Sequence, residues 1–324
     1  MKTRLRAAAT GLATVAMFAL GTAFLPSATA SAQSSDLGSA GAAPAQPLAG
    51  INNFACRSEQ HPRPVVLVHG TGMSMEQSWG PLNDALKLDN YCVFALNYGW
   101  GPSATRTDPF GLPGANAWGH TAIEASAREL AAFIDTVRER TGAAQVDVVG
   151  HSQGGTMTRQ YLKFEGGASG NKVHTLAMLG PSNHGTTMGG TYPNEAAAIA
   201  KGASKAMQQQ AVNSTFLTQL NAGQETFPGI DYTVIASNTD SIITNTGSDG
   251  KPYSDPTLSF LAPGPSVENL IVQDECPGTT LKITHAGEEN NAGDPQGLLN
   301  HSAPIFLVRK ALDPTLAGMV PCSG

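Results

Sequence analysis

Ser152 stands in Gly150-His151-Ser152-Gln153-Gly154, a serine with a glycine two residues to either side. A serine hydroxyl is a poor nucleophile at neutral pH. A chain that uses one must hold it at an exposed turn, beside a base and near donors for the oxyanion it creates. Two histidines far downstream, His285 and His301, are suitable bases, and the carboxylate of Asp240 precedes both. Serine, acid, histidine is one of the chain orders in which a hydrolytic triad occurs. The pentapeptide alone carries little weight, because 36 Gly and 23 Ser in 324 residues supply roughly 0.3 such patterns by chance. Its surroundings must decide.

Val146, Val148 and Val149 run straight into the pentapeptide and a helix-compatible segment follows, so 145–157 reads as strand, sharp turn, helix. Gly150 and Gly154 leave no Cβ where that strand and helix must nearly touch. Upstream, Val65-Val66-Leu67-Val68 is the continuous apolar run of a parallel strand buried on both faces, and it stops at His69-Gly70-Thr71-Gly72. Backbone N–H groups at the carboxyl end of such a strand face the crevice where open α/β sheets bind ligands. The N–H groups of Thr71 and Gln153 are therefore the expected oxyanion donors, with His69 a structural histidine that fixes the loop.

The remaining elements must position these groups. Strands are expected at 91–98, 173–179, 232–237 and 281–284. Ile123, Ala127, Leu130, Ile134 and Val137 recur at helical spacing and define an amphipathic helix over 121–140. A helical stretch over 195–210 belongs to an insertion, 188–229, lying over the catalytic edge as a lid or a fixed cap. Asp240 follows the strand after that insertion, where a triad acid is needed; Asp249 and Asp255 fall in a Gly/Ser/Pro loop, and Asp274 sits beside Cys276. His285 follows the strand 281–284, while His301 opens a last helix at 303–312 with Pro304 in its tolerated first turn. Read from the residues, both histidines qualify. Trp79, Trp100 and Phe110 lie in loops at this level, as pocket walls or core caps.

Composition sets the compartment. MKTRLR carries three cations ahead of an Ala/Leu/Val/Phe-rich stretch, and small-x-small sites follow at 28–32, so residues 1–32 read as a secretory signal peptide and not a membrane span. Residues 33–50 are small and Pro/Gly-punctuated, a flexible leader to one large α/β domain at 51–324. Removing the signal peptide's Lys2, Arg4 and Arg6 takes the formal charge from -6 to -9, which argues against a nucleic-acid partner. Cys56, Cys92, Cys276 and Cys322 form no C-x-x-C pair and no metal-ligand spacing, so in an exported chain they read as disulfides. The pairing Cys56–Cys92 and Cys276–Cys322 staples one nearby segment each, and each closes a loop worth about 4 kcal/mol in the chain-entropy model. No cofactor, no metal and no transmembrane segment in the mature chain is expected, and a monomer is.

In VVLVHGTG, YCVFALNYG, GHSQGG, PSNHGTT, LNAG, DYTVIASNTD and NHSAPIFLVRKALDP taken together, the chain resembles secreted actinobacterial lipases and esterases of the α/β-hydrolase class, related to the small bacillary lipases. The resemblance implies that fold, with a mostly parallel sheet, helices on both faces and a helical cap. It also implies hydrolysis of acylglycerols or similar lipid esters through Ser152, Asp240 and His301, and a C-terminus tied by Cys276 and Cys322. His301 is preferred on the resemblance alone, because the family's histidine directly precedes the last helix. The chain departs from that pattern by extra residues over 286–299, which keeps His285 as the rival. A short-chain esterase or polyester depolymerase with the same triad, and a non-catalytic hydrolase-fold binding protein, are the alternatives.

Overall fold

The structure, a computed structural model, describes residues 48–101, 118–287 and 296–323. The expected signal peptide, most of the expected leader, and Phe110 lie outside the described residues. In chain order the elements are β1 (Val65–Val68), α1 (Met75–Ser78), α2 (Gly80–Leu88), β2 (Val93–Leu96), α3 (Ile123–Thr141), β3 (Val146–His151), α4 (Gln153–Phe164) and β4 (Val173–Leu179). They continue with α5 (Glu195–Ala200), α6 (Lys205–Gln210), α7 (Thr215–Asn221), β5 (Asp231–Ala236), β6 (Thr244–Thr246), β7 (Pro252–Ser254), β8 (Val267–Ile271) and α8 (Ser302–Leu312).

Six strands form one parallel sheet in the order β2-β1-β3-β4-β5-β8, while β6 and β7 make a separate antiparallel pair. The apolar run of β1 is buried on both sides because its side chains alternate between two cores. Val66 and Val68 pack with Val148, Leu130 and Ile134 on one face; Val65 and Leu67 pack with Val149, Trp79 and Val308 on the other. The connection from β1 runs outward to β2, whereas β3 lies on the other side of β1. The crevice between the carboxyl ends of β1 and β3 is thus the switch point at which open α/β sheets place their ligands.

Two segments differ from the sequence expectation. The helix expected over 195–210 is broken, since Gly202 takes a left-handed φ of 70° after α5 and the Ser204 side chain starts a new helix by accepting from Met207 N–H. Residues 281–284 do not form a strand; Thr284 makes a lone bridge to Gly297, and the sheet edge is taken by β8 instead. Both expected disulfides are present, Cys56–Cys92 and Cys276–Cys322. Among the described residues no helix is long and apolar enough to cross a membrane.

Candidate active site

Ser152 sits between β3 and α4 with φ 53° and ψ -127°, a conformation that costs on the order of 1–3 kcal/mol for a residue with a side chain. Its surroundings enforce the turn. Ser152 N–H donates to Leu179 O at 2.9 Å and Gly155 N–H donates to Ser152 O at 3.1 Å. A Cβ on Gly150 would stand 2.6 Å from Gly155 N, and one on Gly154 would stand 2.1 Å from Val68 O. The two glycines therefore serve different approaches, Gly150 that of strand to helix and Gly154 that of helix to β1.

Asp240 lies four residues beyond β5, buried, and both of its oxygens are occupied. Oδ1 accepts from Ile242 and Ile243 N–H, each at 2.8 Å, and Oδ2 lies 2.8 Å from His285 Nδ1. A carboxylate is an acceptor only, so His285 Nδ1 carries a proton, and in the neutral ring Nε2 is then the nitrogen with the lone pair. Nε2 is buried and has no hydrogen-bond partner among the described residues. The histidine is also fixed from behind. His151 Nε2–H donates to His285 O at 3.0 Å, and the two rings lie 4.6 Å apart, which sets His285 against the residue that precedes Ser152. The loops that carry Asp240 and His285 are clipped together two residues upstream of the imidazole: Ser237 and Thr239 hydroxyls donate to Ile283 O at 2.6 and 3.0 Å, and Ile283 N–H donates to Thr239 Oγ1 at 2.9 Å.

His301 is placed differently from the expectation. It is the N-cap of α8, where its Nδ1 accepts from Ala303 N–H at 3.1 Å. A ring nitrogen whose lone pair accepts from the helix carries no proton to donate to Asp240, and Asp240 has its partner in His285. The position just before the last helix, on which the resemblance preferred His301, is thus filled by a structural cap. Burial lowers the pKa of this imidazole and favours the neutral ring that a cap requires.

Thr71 follows β1 and Gln153 opens α4, and their side chains meet: the Thr71 hydroxyl donates to Gln153 Oε1. His69 takes the structural position expected of it. Its Nδ1–H donates to Gly70 O at 2.8 Å, its ring stacks on Tyr98 at 4.3 Å, and burial lowers its pKa to about 4. Trp79 is a fully buried core residue; Trp100 is exposed and meets Trp118 edge-on at 4.9 Å. His151, Ser237 and Thr239 were not legible as parts of this site, since each acts through a contact with no sequence signature.

A strained serine between strand and helix at the switch point of a parallel sheet, with a buried carboxylate–imidazole pair on the loops that follow β5 and β8, defines the α/β-hydrolase fold. The family described as lipase (class 2) matches residues 62–259, and the chain belongs to this family. The fold is also that of lipase B from Aspergillus fumigatus, with 22% identity, a TM-score of 0.51, and coverage of 81% of this chain and 54% of the other. Lipase BlEst2 of Bacillus licheniformis in its propeptide form gives 15% identity and a TM-score of 0.50, over 86% of this chain and 54% of the other. The chain spans about half the length of both structures.

Proposed function

We propose that the protein is a secreted serine ester hydrolase, a triacylglycerol lipase, acting through an acyl-enzyme on Ser152. The observation that carries the reading is the Asp240–His285 pair, which leaves a buried imidazole lone pair beside the elbow that holds the serine. His285 Nε2 takes the Ser152 proton as Oγ attacks the ester carbonyl, and the N–H groups of Thr71 and Gln153 receive the oxyanion. The protonated imidazole returns that proton to the departing alcohol, and water then attacks the acyl-enzyme by the same base. Asp240 holds the productive tautomer and offsets the imidazolium charge. The lipase (class 2) family supports an acylglycerol substrate, and the two disulfides support an oxidising, extracellular destination.

The test is Ser152→Ala assayed on p-nitrophenyl butyrate and on emulsified triolein. Loss of ~10³-fold or more of turnover, with the circular dichroism spectrum kept, is expected. Near-normal hydrolysis by that variant would end the mechanism, and wild-type activity confined to short soluble esters would replace the lipase with an esterase.

A further inference from the structure

Gln210 is the last residue of α6, in the cap insertion, yet its side chain reaches both segments assigned above to the oxyanion. It is buried, and its Nε2 donates to Thr71 Oγ1 at 2.9 Å and to Gln153 Oε1 at 3.2 Å. Its own Oε1 accepts from Ser182 Oγ at 3.0 Å, which fixes which end of the amide faces the site. The backbone is tied as well, since Thr186 N–H donates to Gln210 O at 2.9 Å. The neighbouring Gln209 faces the other way: its Oε1 accepts from Ile123 N–H at 2.7 Å and its Nε2 donates to Glu124 Oε2 at 2.7 Å, at the start of α3. These contacts pin α6 to the hydrolase core on two sides.

Resting on the proposed serine mechanism, we infer that Gln210 is a positioning residue for the oxyanion hole, holding the Thr71 and Gln153 backbones at the separation the tetrahedral intermediate needs. The two donors come from chain segments 82 residues apart, one at the end of β1 and one at the start of α4. Nothing covalent sets their spacing. The Thr71 hydroxyl has one proton and gives it to Gln153 Oε1, while Gln210 fills an acceptor site on each. The three side chains form a closed triangle in a largely buried site, where loss of Gln210 leaves an unfilled acceptor site on both Thr71 and Gln153 and only their mutual bond to hold them. Oxyanion donors act only when aimed at the place where charge develops, so loss of the brace is felt in the transition state and little in ground-state binding.

Gln210→Met keeps the volume and removes both donors. On p-nitrophenyl butyrate its kcat is expected to fall about tenfold to hundredfold with KM held within about threefold. Affinity for n-butylboronic acid, which forms a tetrahedral adduct on the serine, is expected to fall by the same factor. Thr71→Val combined with Gln210→Met is expected to be no worse than the worse single variant, because both open the same triangle. Gln210→Glu serves if the first variant does not fold: a carboxylate cannot donate, so kcat at pH 8 is expected to fall at least as far. Wild-type kcat and boronate affinity in a folded Gln210 variant, or single effects that multiply in the double variant, overturn the inference. Hydrolysis that survives Ser152→Ala, by contrast, removes the serine mechanism itself, so the two failures are told apart.

Discussion

Asp240 Oδ2 and His285 Nδ1 lie 2.8 Å apart with both side chains buried, while the other carboxylate oxygen is held by two backbone N–H groups. Asp240→Asn can keep the carbonyl oxygen on Ile242 and Ile243, but it then turns an NH₂ toward the ring and reverses the tautomer. A fall in kcat of ~10⁴ with an unchanged melting profile is expected. A fall below tenfold would show that the carboxylate does not govern the imidazole.

His285 and His301 separate by role. His285→Ala is expected to abolish labelling of Ser152 by a fluorophosphonate, read by intact-protein mass spectrometry. His301→Ala is expected to keep that labelling and to lose about 1 kcal/mol of stability as the cap of α8 goes, with His301→Asn recovering most of it. Loss of labelling in His301→Asn would return the base to the helix start.

Burial, the leading cause in each case, lowers the pKa of His69 to about 4 and that of His151 well below its ordinary value. Each ring is neutral in the fold and gains a proton on unfolding, so between pH 6.5 and about 4 the unfolded chain binds more protons and stability rises with pH. The contribution is complete above pH 6.5 and is lost as pH falls toward 4, on the order of 3 kcal/mol for His69. Thermal melts from pH 7 to 4.5 are expected to show the gap between wild type and His69→Phe narrowing on acidification. A constant gap contradicts the buried neutral ring.

Gly154→Ala drives a methyl to 2.1 Å from Val68 O, a backbone atom of a central strand that cannot swing aside. A loss of about 3 kcal/mol or more is expected by urea unfolding, against a much smaller change for Gly80→Ala, where a Cβ meets nothing within 4 Å. Equal losses at the two positions would mean that the close approach of α4 to β1 is not what Gly154 provides.

The readable parts of the molecule were those whose physics is local. The apolar runs of β1 and β3, the glycines flanking Ser152, the carboxylate after β5 and the two cystine pairings each leave a mark within a few residues or a countable set of alternatives. The choice between two histidines was not local. A capping imidazole and a basic imidazole look the same along the chain, and only the 45-residue reach from Asp240 to His285 separates them. The break after α5 was signalled by Gly202 and Ser204, but the Ala/Gln-rich composition on either side masked it. Gln210 carries no pattern at all, since its partners are 57 and 139 residues away.

The serine hangs from β3, paired on both sides within the sheet and buried throughout, whereas His285 stands outside any strand and is held by a handful of hydrogen bonds. Warming is therefore expected to loosen His285 from Asp240 while the sheet still resists deuterium exchange. On the proposed mechanism, heat inactivation is expected to precede loss of the sheet's protection, and a sample chilled before the sheet opens is expected to regain its turnover.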